Sequence, residues 1–153
     1  MNNKPLISPF TWFFMGLAAG LVVMFFYHLM VRDKYASERA EIRLDYYLNR
    51  KAFEAYGAES RPVAIYALSE YLANADRLKE RSFSFFGTTD SPNSRFQAHA
   101  LLAKLYAESG ETNLSTLNLQ LALGFAGAAG NPSISNQATL WDYIDHQYGK
   151  ISK

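Results

Sequence analysis

The sequence predicts an all-α protein in which one N-terminal transmembrane helix precedes a small helical domain. Residues 10–31 contain no Asp, Glu, Lys or Arg. Beyond them, apolar residues recur at the spacing of amphipathic helices, and no sustained alternation of period two indicates strands. We therefore divide the chain of 153 residues into a leader at 1–9, a transmembrane helix at 10–31 and a helical domain at 32–153.

The uncharged stretch FTWFFMGLAAGLVVMFFYHLMV matches the thickness of a bilayer. At about 1.5 Å per residue, a helix of about 22 residues is roughly 33 Å long, and the hydrocarbon core is about 30 Å thick. In that medium a lone segment satisfies its own backbone groups only as a helix. A cleaved signal peptide has a shorter apolar run and a small-residue cleavage site, whereas this run ends in His28, Leu29, Met30 and Val31. We expect a permanent span.

A row of residues at four-residue spacing within the span predicts a contact face. Gly16 and Gly20 form a small-xxx-small pair, and Trp12, Met24 and His28 continue the row. Glycines at this spacing allow a second helix to approach closely, which favours association in lipid. We name Gly16, Gly20 and His28 as candidate partner-binding residues. The alternative interpretation of His28 is that its imidazole reaches the headgroup layer.

The basic residues that flank the span predict which side holds the domain. Lys4 lies on the leader side, and four basic residues follow the span: Arg32, Lys34, Arg39 and Arg43. Because cytoplasmic flanks carry the excess of Lys and Arg, the count predicts a cytoplasmic domain at an inner or plasma membrane. A single N-terminal anchor with a short leader also commonly holds its domain on the periplasmic or external side, and this alternative stays open.

Composition excludes several functional classes. The formal net charge is +1 with both signs interleaved, whereas a nucleic-acid-binding surface needs a basic stripe. The chain has no cysteine, which removes thiol catalysis, disulfides and zinc–thiolate sites. The sequence contains no phosphate-binding glycine loop, nucleophile elbow or metalloprotease motif. We expect a protein that is not an enzyme, that has no metal or cofactor site and that does not bind nucleic acid.

Helical periodicity organises the domain. Residues 32–56 contain no Gly or Pro, so we expect the span to continue as a helix with Gly57 as its C-cap. The apolar positions of this helix are Ala36, Ala40, Leu44, Tyr47, Leu48, Phe53 and Tyr56. Pro62 opens a second helix, whose predicted buried side is Ile65, Leu68, Tyr71, Leu72 and Ala75. A loop at 87–92 follows three aromatic residues that we expect to tuck under a neighbouring helix: Phe83, Phe85 and Phe86.

The next two helices, from near Ser94 and from Thr112 to Gly130, carry a repeat-like pattern. The residues that carry it are Leu102, Ala103, Tyr106, Gly110, Ala122 and Leu123. This pattern resembles the tetratricopeptide repeat, in which a small residue lies where two antiparallel helices cross and a large one lies beside it. Ser115 and Gly127 depart from it, since the repeat has alanine and proline there. Together with a degenerate copy around 55–72, the resemblance covers about 90 residues.

The resemblance implies a domain that binds protein. We therefore add His99 and Tyr106, which lie in the repeat-like helices, to the candidate partner-binding residues. A last helix follows Pro132 and places four apolar residues on one face: Leu140, Trp141, Ile144 and Tyr148. We interpret it as a capping helix, because the end of a repeat stack needs a piece that covers its apolar face.

Two functional hypotheses follow. In the first, the protein is a membrane-anchored adaptor or accessory subunit whose span or helical domain binds another protein. In the second, it is a structural subunit that joins its complex through the transmembrane helix, and the helical domain only covers a surface. Both imply protein partners and the lipid bilayer, and both admit a second copy of the chain as a partner.

Overall fold

A computed structural model of the chain describes residues 9–79 and 91–149, and these residues form five helices without a strand. The helices are α1 (Pro9–Ala58), α2 (Arg61–Lys79), α3 (Pro92–Glu108), α4 (Thr112–Ala126) and α5 (Gln137–Tyr148). The predicted all-α class is confirmed. The chain divides into two compact units, Met1–Ala40 and Glu41–Lys153. Most of the predicted leader and the three phenylalanines at 83, 85 and 86 lie outside the described residues.

The first unit contains the uncharged part of α1. This helix is long and apolar enough, by length and composition, to cross a membrane. None of its most apolar 18-residue window is buried by the rest of the structure. Phe13, Val23 and Met24, for example, expose 65%, 68% and 69% of their surface. These side chains need an apolar environment that the described part of the chain does not provide.

The second unit has its own hydrophobic core, and α3 lies at its centre. This helix contacts α2, α4 and α5. Its own Phe96, Leu101 and Leu105 are almost completely buried, and side chains from three further helices complete the core: Tyr56 from α1, Leu68 from α2, and Leu140 and Ile144 from α5. Because full burial of one such apolar side chain is worth about 1.5–3 kcal/mol, this cluster accounts for the existence of the unit.

Local signals begin and end the helices of the second unit. The Ser91 Oγ accepts a hydrogen bond from the Ser94 N–H at 3.5 Å, and Pro92 occupies the first turn of α3. At its other end, Gly110 adopts a φ of 79°, and the Glu111 N–H donates to the Tyr106 carbonyl at 2.9 Å. This is the Schellman arrangement, which favours glycine because L side chains are strained at that backbone angle. Asn136 and Thr139 cap α5 reciprocally.

Two expectations for α1 are wrong. Gly57 is not a C-cap, because it lies inside the helix, which ends at Ala58, and its φ is not positive. Leu44 and Tyr47 are not buried and expose 45% and 55% of their surface. The buried apolar residues of this part of α1 are instead Ala52, Ala55 and Tyr56. Earlier in the helix the Asp45 Oδ1 accepts a hydrogen bond of 3.0 Å from the Asn74 Nδ2 of α2, and Leu44 lies about 100° around the helix axis from Asp45.

We predict opposite effects for alanine at Gly110 and at Gly57. Gly110→Ala should destabilise the second unit by about 1–2 kcal/mol, because an L residue is strained in the left-handed region. Gly57→Ala should stabilise it by up to about 1 kcal/mol, since alanine is the better helix former and a Cβ there meets no atom within 4 Å. Thermal unfolding of the full chain in detergent, followed by near-ultraviolet circular dichroism, measures both. Equal losses for the two variants would contradict the helical placement of Gly57.

Candidate interaction surfaces

The glycine pair of the uncharged stretch lies on an uninterrupted helix. A Cβ built on Gly16 or on Gly20 meets nothing within 4 Å, so packing in the described chain does not require glycine at either position. Each nevertheless weakens the helix by about 1 kcal/mol relative to alanine in aqueous hosts. The pair therefore forms a shallow notch, and the neighbouring Phe13 and Leu17 stand out from the helix with more than half of their surface exposed.

His28 does not share the face of this notch. Each four-residue step along an α-helix advances by about 40° around its axis, so His28 lies about 80° from Gly20 and about 120° from Gly16. A straight partner helix that fits the notch contacts the two glycines, and His28 lies to one side of that contact. The imidazole is exposed. Helix geometry thus places Gly16 and Gly20 near one face and His28 to one side of it, and the role of all three in binding stays a prediction.

In the second unit, His99 is held by two residues of α4. Its Nδ1 lies 2.9 Å from the Asn118 Oδ1, and its ring lies parallel to Phe125 with centroids 6.0 Å apart. The Asn118 Nδ2 donates to the Leu114 carbonyl at 2.9 Å, which identifies the Oδ1 as the acceptor. The Nδ1 of His99 must then carry the proton, and the Nε2 of the neutral ring is left as an acceptor.

The surroundings of His99 favour its neutral form. Burial lowers the pKa of His99 below its ordinary value, the nearby Arg95 lowers it further, and the hydrogen bond with Asn118 opposes both effects. A neutral, half-buried imidazole with a fixed ring can accept a hydrogen bond from a partner. The Nε2 of His99 can therefore bind a partner that offers a hydrogen-bond donor.

Tyr106 lies on the same side of α3 as His99, two turns further along. It is half-buried and packs against the core, rather than fully buried as a repeat-like crossing implies. Between the two residues, the Ser115 Oγ of α4 donates to the Ala103 carbonyl at 2.8 Å. His99 contacts α4, Tyr106 lies two turns away on the same side of α3, and each retains some accessible surface. Their role in binding stays a prediction.

Sequence reasoning missed one surface altogether. Leu114, Leu117 and Leu121 of α4 expose 39%, 51% and 40% of their surface, although the same helix also buries Ser115, Asn118 and Ala122 against the unit. The signal was present in the sequence, since residues 112–130 contain no charged side chain. A helix that covers a domain from the outside normally has a charged or polar outer face.

Comparison of the chain with protein-family models, with curated proteins and with solved structures gives no match. The resemblance to the tetratricopeptide repeat therefore stays a prediction, and the described surfaces are the basis for assigning a function.

We predict that His99 makes the stability of the second unit depend on pH. Because its folded pKa lies below its unfolded value of about 6.5, the unfolded chain takes up a proton first as the pH falls. The contribution of neutral His99 to the free energy of unfolding is complete above the unfolded pKa of about 6.5, and it is lost as the pH falls below that pKa. The unfolding midpoint should therefore drop between pH 7.5 and pH 5.0, and His99→Gln should reduce this drop.

The exposed His146 of α5 provides the matched control. His146→Gln should retain the full difference between the two pH values. An equal drop in the wild-type chain and in His99→Gln would show that His99 is not the titrating group.

Proposed function

We propose that the protein is a single-pass membrane protein that acts as an interaction subunit, an adaptor or accessory component of a membrane complex. The observation that carries the proposal is the exposure of nearly all of the uncharged stretch of α1, in a chain whose second unit has a core of its own. The activity is binding, and it uses no catalytic residue, metal or cofactor.

The exposed apolar stretch supports the anchor. Leaving a large apolar side chain in water instead of burying it costs about 1.5–3 kcal/mol, and the stretch carries a long series of them. Insertion of this helix into a bilayer removes that cost. The span has the length for it, and its first and last turns carry Trp12 and Tyr27, which suit the two interfaces.

The notch at Gly16 and Gly20 supports binding of a partner helix within the bilayer. In lipid, helices associate through close packing and hydrogen bonds, and small residues permit the shortest approach between backbones. The second unit adds His99 and Tyr106, which lie on one side of α3 and retain accessible surface. Two separate surfaces are available to protein partners, one on the span and one on the helical unit.

We predict that the full chain stays in the membrane pellet after carbonate extraction at its uncleaved mass. A reporter fused after Lys153 should be active in the cytoplasm, because the four basic residues follow the span and only Lys4 precedes it among the residues counted. A shortened, extractable product would identify a signal peptide and end the anchor proposal. Activity of an external reporter would reverse the orientation and leave the anchor unchanged.

We predict that bulk in the notch disrupts association. Gly16→Ile and Gly20→Ile place a branched side chain where the partner backbone lies, so co-purification of partners with the full chain should fall several-fold while membrane insertion is unchanged. Ala18→Ile is the matched control, since it adds a similar side chain about 160° away from Gly16 on the same helix. Unchanged recovery of partners with both glycine variants would mean that the span is only an anchor.

The same experiment separates the two hypotheses. If His99→Ala and Tyr106→Ala retain every partner that the glycine variants lose, the structural-subunit alternative holds and the helical unit only covers a surface. If the variants of the helical unit lose partners as well, the adaptor hypothesis holds. His28→Ala measures whether the imidazole beside the notch contributes, and a contribution of about 1–2 kcal/mol is the upper range for such hydrogen bonds.

A further inference from the structure

An uncharged and exposed apolar row runs along the outer face of α4. Leu114, Leu117 and Leu121 protrude from it, and Gly124 continues the row. The spacing of these four residues is three, four and three, which is the seam of a two-helix coiled coil. Within its own chain α4 packs against α3 through a different face, so the seam has no partner among the described residues.

Gly124 also indicates that another helix approaches this face of α4. It lies inside α4, its φ is not positive, and a Cβ built on it meets nothing within 4 Å. Glycine inside a helix costs about 1 kcal/mol relative to alanine, and no contact within the described chain accounts for it. Glycine permits the close approach of another backbone, and Gly124 continues the exposed row of leucines.

We propose that α4 pairs with the α4 of a second copy of this chain in an antiparallel, two-fold symmetric contact. In this arrangement Leu117 lies opposite Leu121 of the other copy, and Leu114 lies opposite Gly124. Every layer then has a leucine, and the two outer layers pair a large side chain with a glycine. The two-fold symmetry explains why one end of the seam has leucine and the other has glycine, because each end lies against the opposite end of the second copy.

The absence of charge favours a second copy over an unlike partner. Two identical helices bring identical charges together, and like charges in contact are destabilising. The stretch 112–130 has none, so a copy meets no repulsion, while a charged partner finds no complementary group. A helix that lies on a membrane surface usually carries Lys and Arg on its polar face, and α4 carries neither.

The expected contact is small and therefore weak in dilute solution. A standard interface buries about 800 Å² per partner, and three leucines and a glycine supply much less. Anchoring two copies in one membrane raises their effective concentration, so that a weak contact becomes populated. Only the expected strength of the contact between the two α4 helices depends on the proposed membrane anchor. The geometry of the seam does not depend on it.

Cysteine cross-linking in the full chain tests the proposal, since the chain has no native cysteine. Two differently tagged copies, Leu117→Cys and Leu121→Cys, are co-expressed and oxidised in the cell fraction that holds the protein. The mixed disulfide should form at least several-fold more than with the control pair Thr112→Cys and Thr116→Cys. These two exposed residues have the same spacing, and both lie more than about 100° around the helix axis from the centre of the seam.

Same-residue pairs distinguish the orientation. In the antiparallel contact the two copies of residue 114 are about 15 Å apart along the helix axis, which is beyond the reach of a disulfide. Leu114→Cys alone should therefore not cross-link. Equal cross-linking of residues 114, 117 and 121 each with itself would indicate parallel helices and overturn the proposal. The absence of any cross-link along the seam, including the case in which lipid or another protein protects these cysteines from labelling, would also overturn it.

Gly124→Leu tests the layer in which Gly124 of one copy lies opposite Leu114 of the other. The side chain fits the isolated chain, so the unfolding midpoint should be unchanged or higher, while the mixed disulfide between residues 117 and 121 should fall several-fold. Gly127→Leu is the control, because Gly127 also has helical backbone angles and an open Cβ position but lies off the seam. An undiminished disulfide in Gly124→Leu would contradict the proposed layer. Carbonate extraction of the same samples reports on the anchor separately.

Discussion

The close contact between α3 and α4 is the interaction on which the helical unit depends. Ala103 and Ala122 are fully buried, and the hydroxyl of Ser115 reaches a main-chain carbonyl of the facing helix. Such a bond requires a small residue, because its donor must approach the backbone itself. Ser115, which departs from the alanine of the repeat pattern, therefore keeps the small size and adds a hydrogen bond worth about 1 kcal/mol. With one side of α3 closed in this way, its other sides are free to pack on α2 and α5.

Charged residues fix how the other helices lie against α3. The Arg95 Nη1 donates to the Asp76 Oδ1 of α2 at 2.6 Å, Arg61 pairs with Glu108 at 3.2 Å, and Lys104 pairs with Asp145 of α5. Exposed pairs contribute about 0–1 kcal/mol, so most of these contacts select an orientation and add little stability. Arg95 differs because its side chain is only 4% exposed, and a guanidinium withdrawn from water needs its carboxylate. The core supplies the stability, and the ion pairs select one packing of the helices.

The positions of the helices could be predicted, because local signals begin and end them. The rotation and packing of the helices could not, because they depend on contacts between residues that are far apart in the sequence. Pro62, Gly110 and the apolar spacing of α5 act within one or two turns, so the sequence alone locates these elements. The rotation of α1 was missed because it depends on contacts with other helices, such as the hydrogen bond between Asp45 and Asn74. The anchoring of His99 by Asn118 was missed for the same reason. The exposed leucines of α4 were missed because apolar periodicity identifies a face that must be covered and does not say which chain covers it.

The described glycines differ in what accounts for them. Gly110, Gly130 and Gly149 have positive φ angles, so the backbone itself accounts for them. Gly16, Gly20, Gly57, Gly124 and Gly127 have helical backbone and no neighbour where a Cβ would point, so no contact inside the described chain requires glycine at these positions. Large exposed apolar side chains surround three of them, Gly16 and Gly20 on the uncharged stretch of α1 and Gly124 on α4. Because a glycine inside a helix permits another helix to approach closely, the proposals of helix binding rest on these two surfaces.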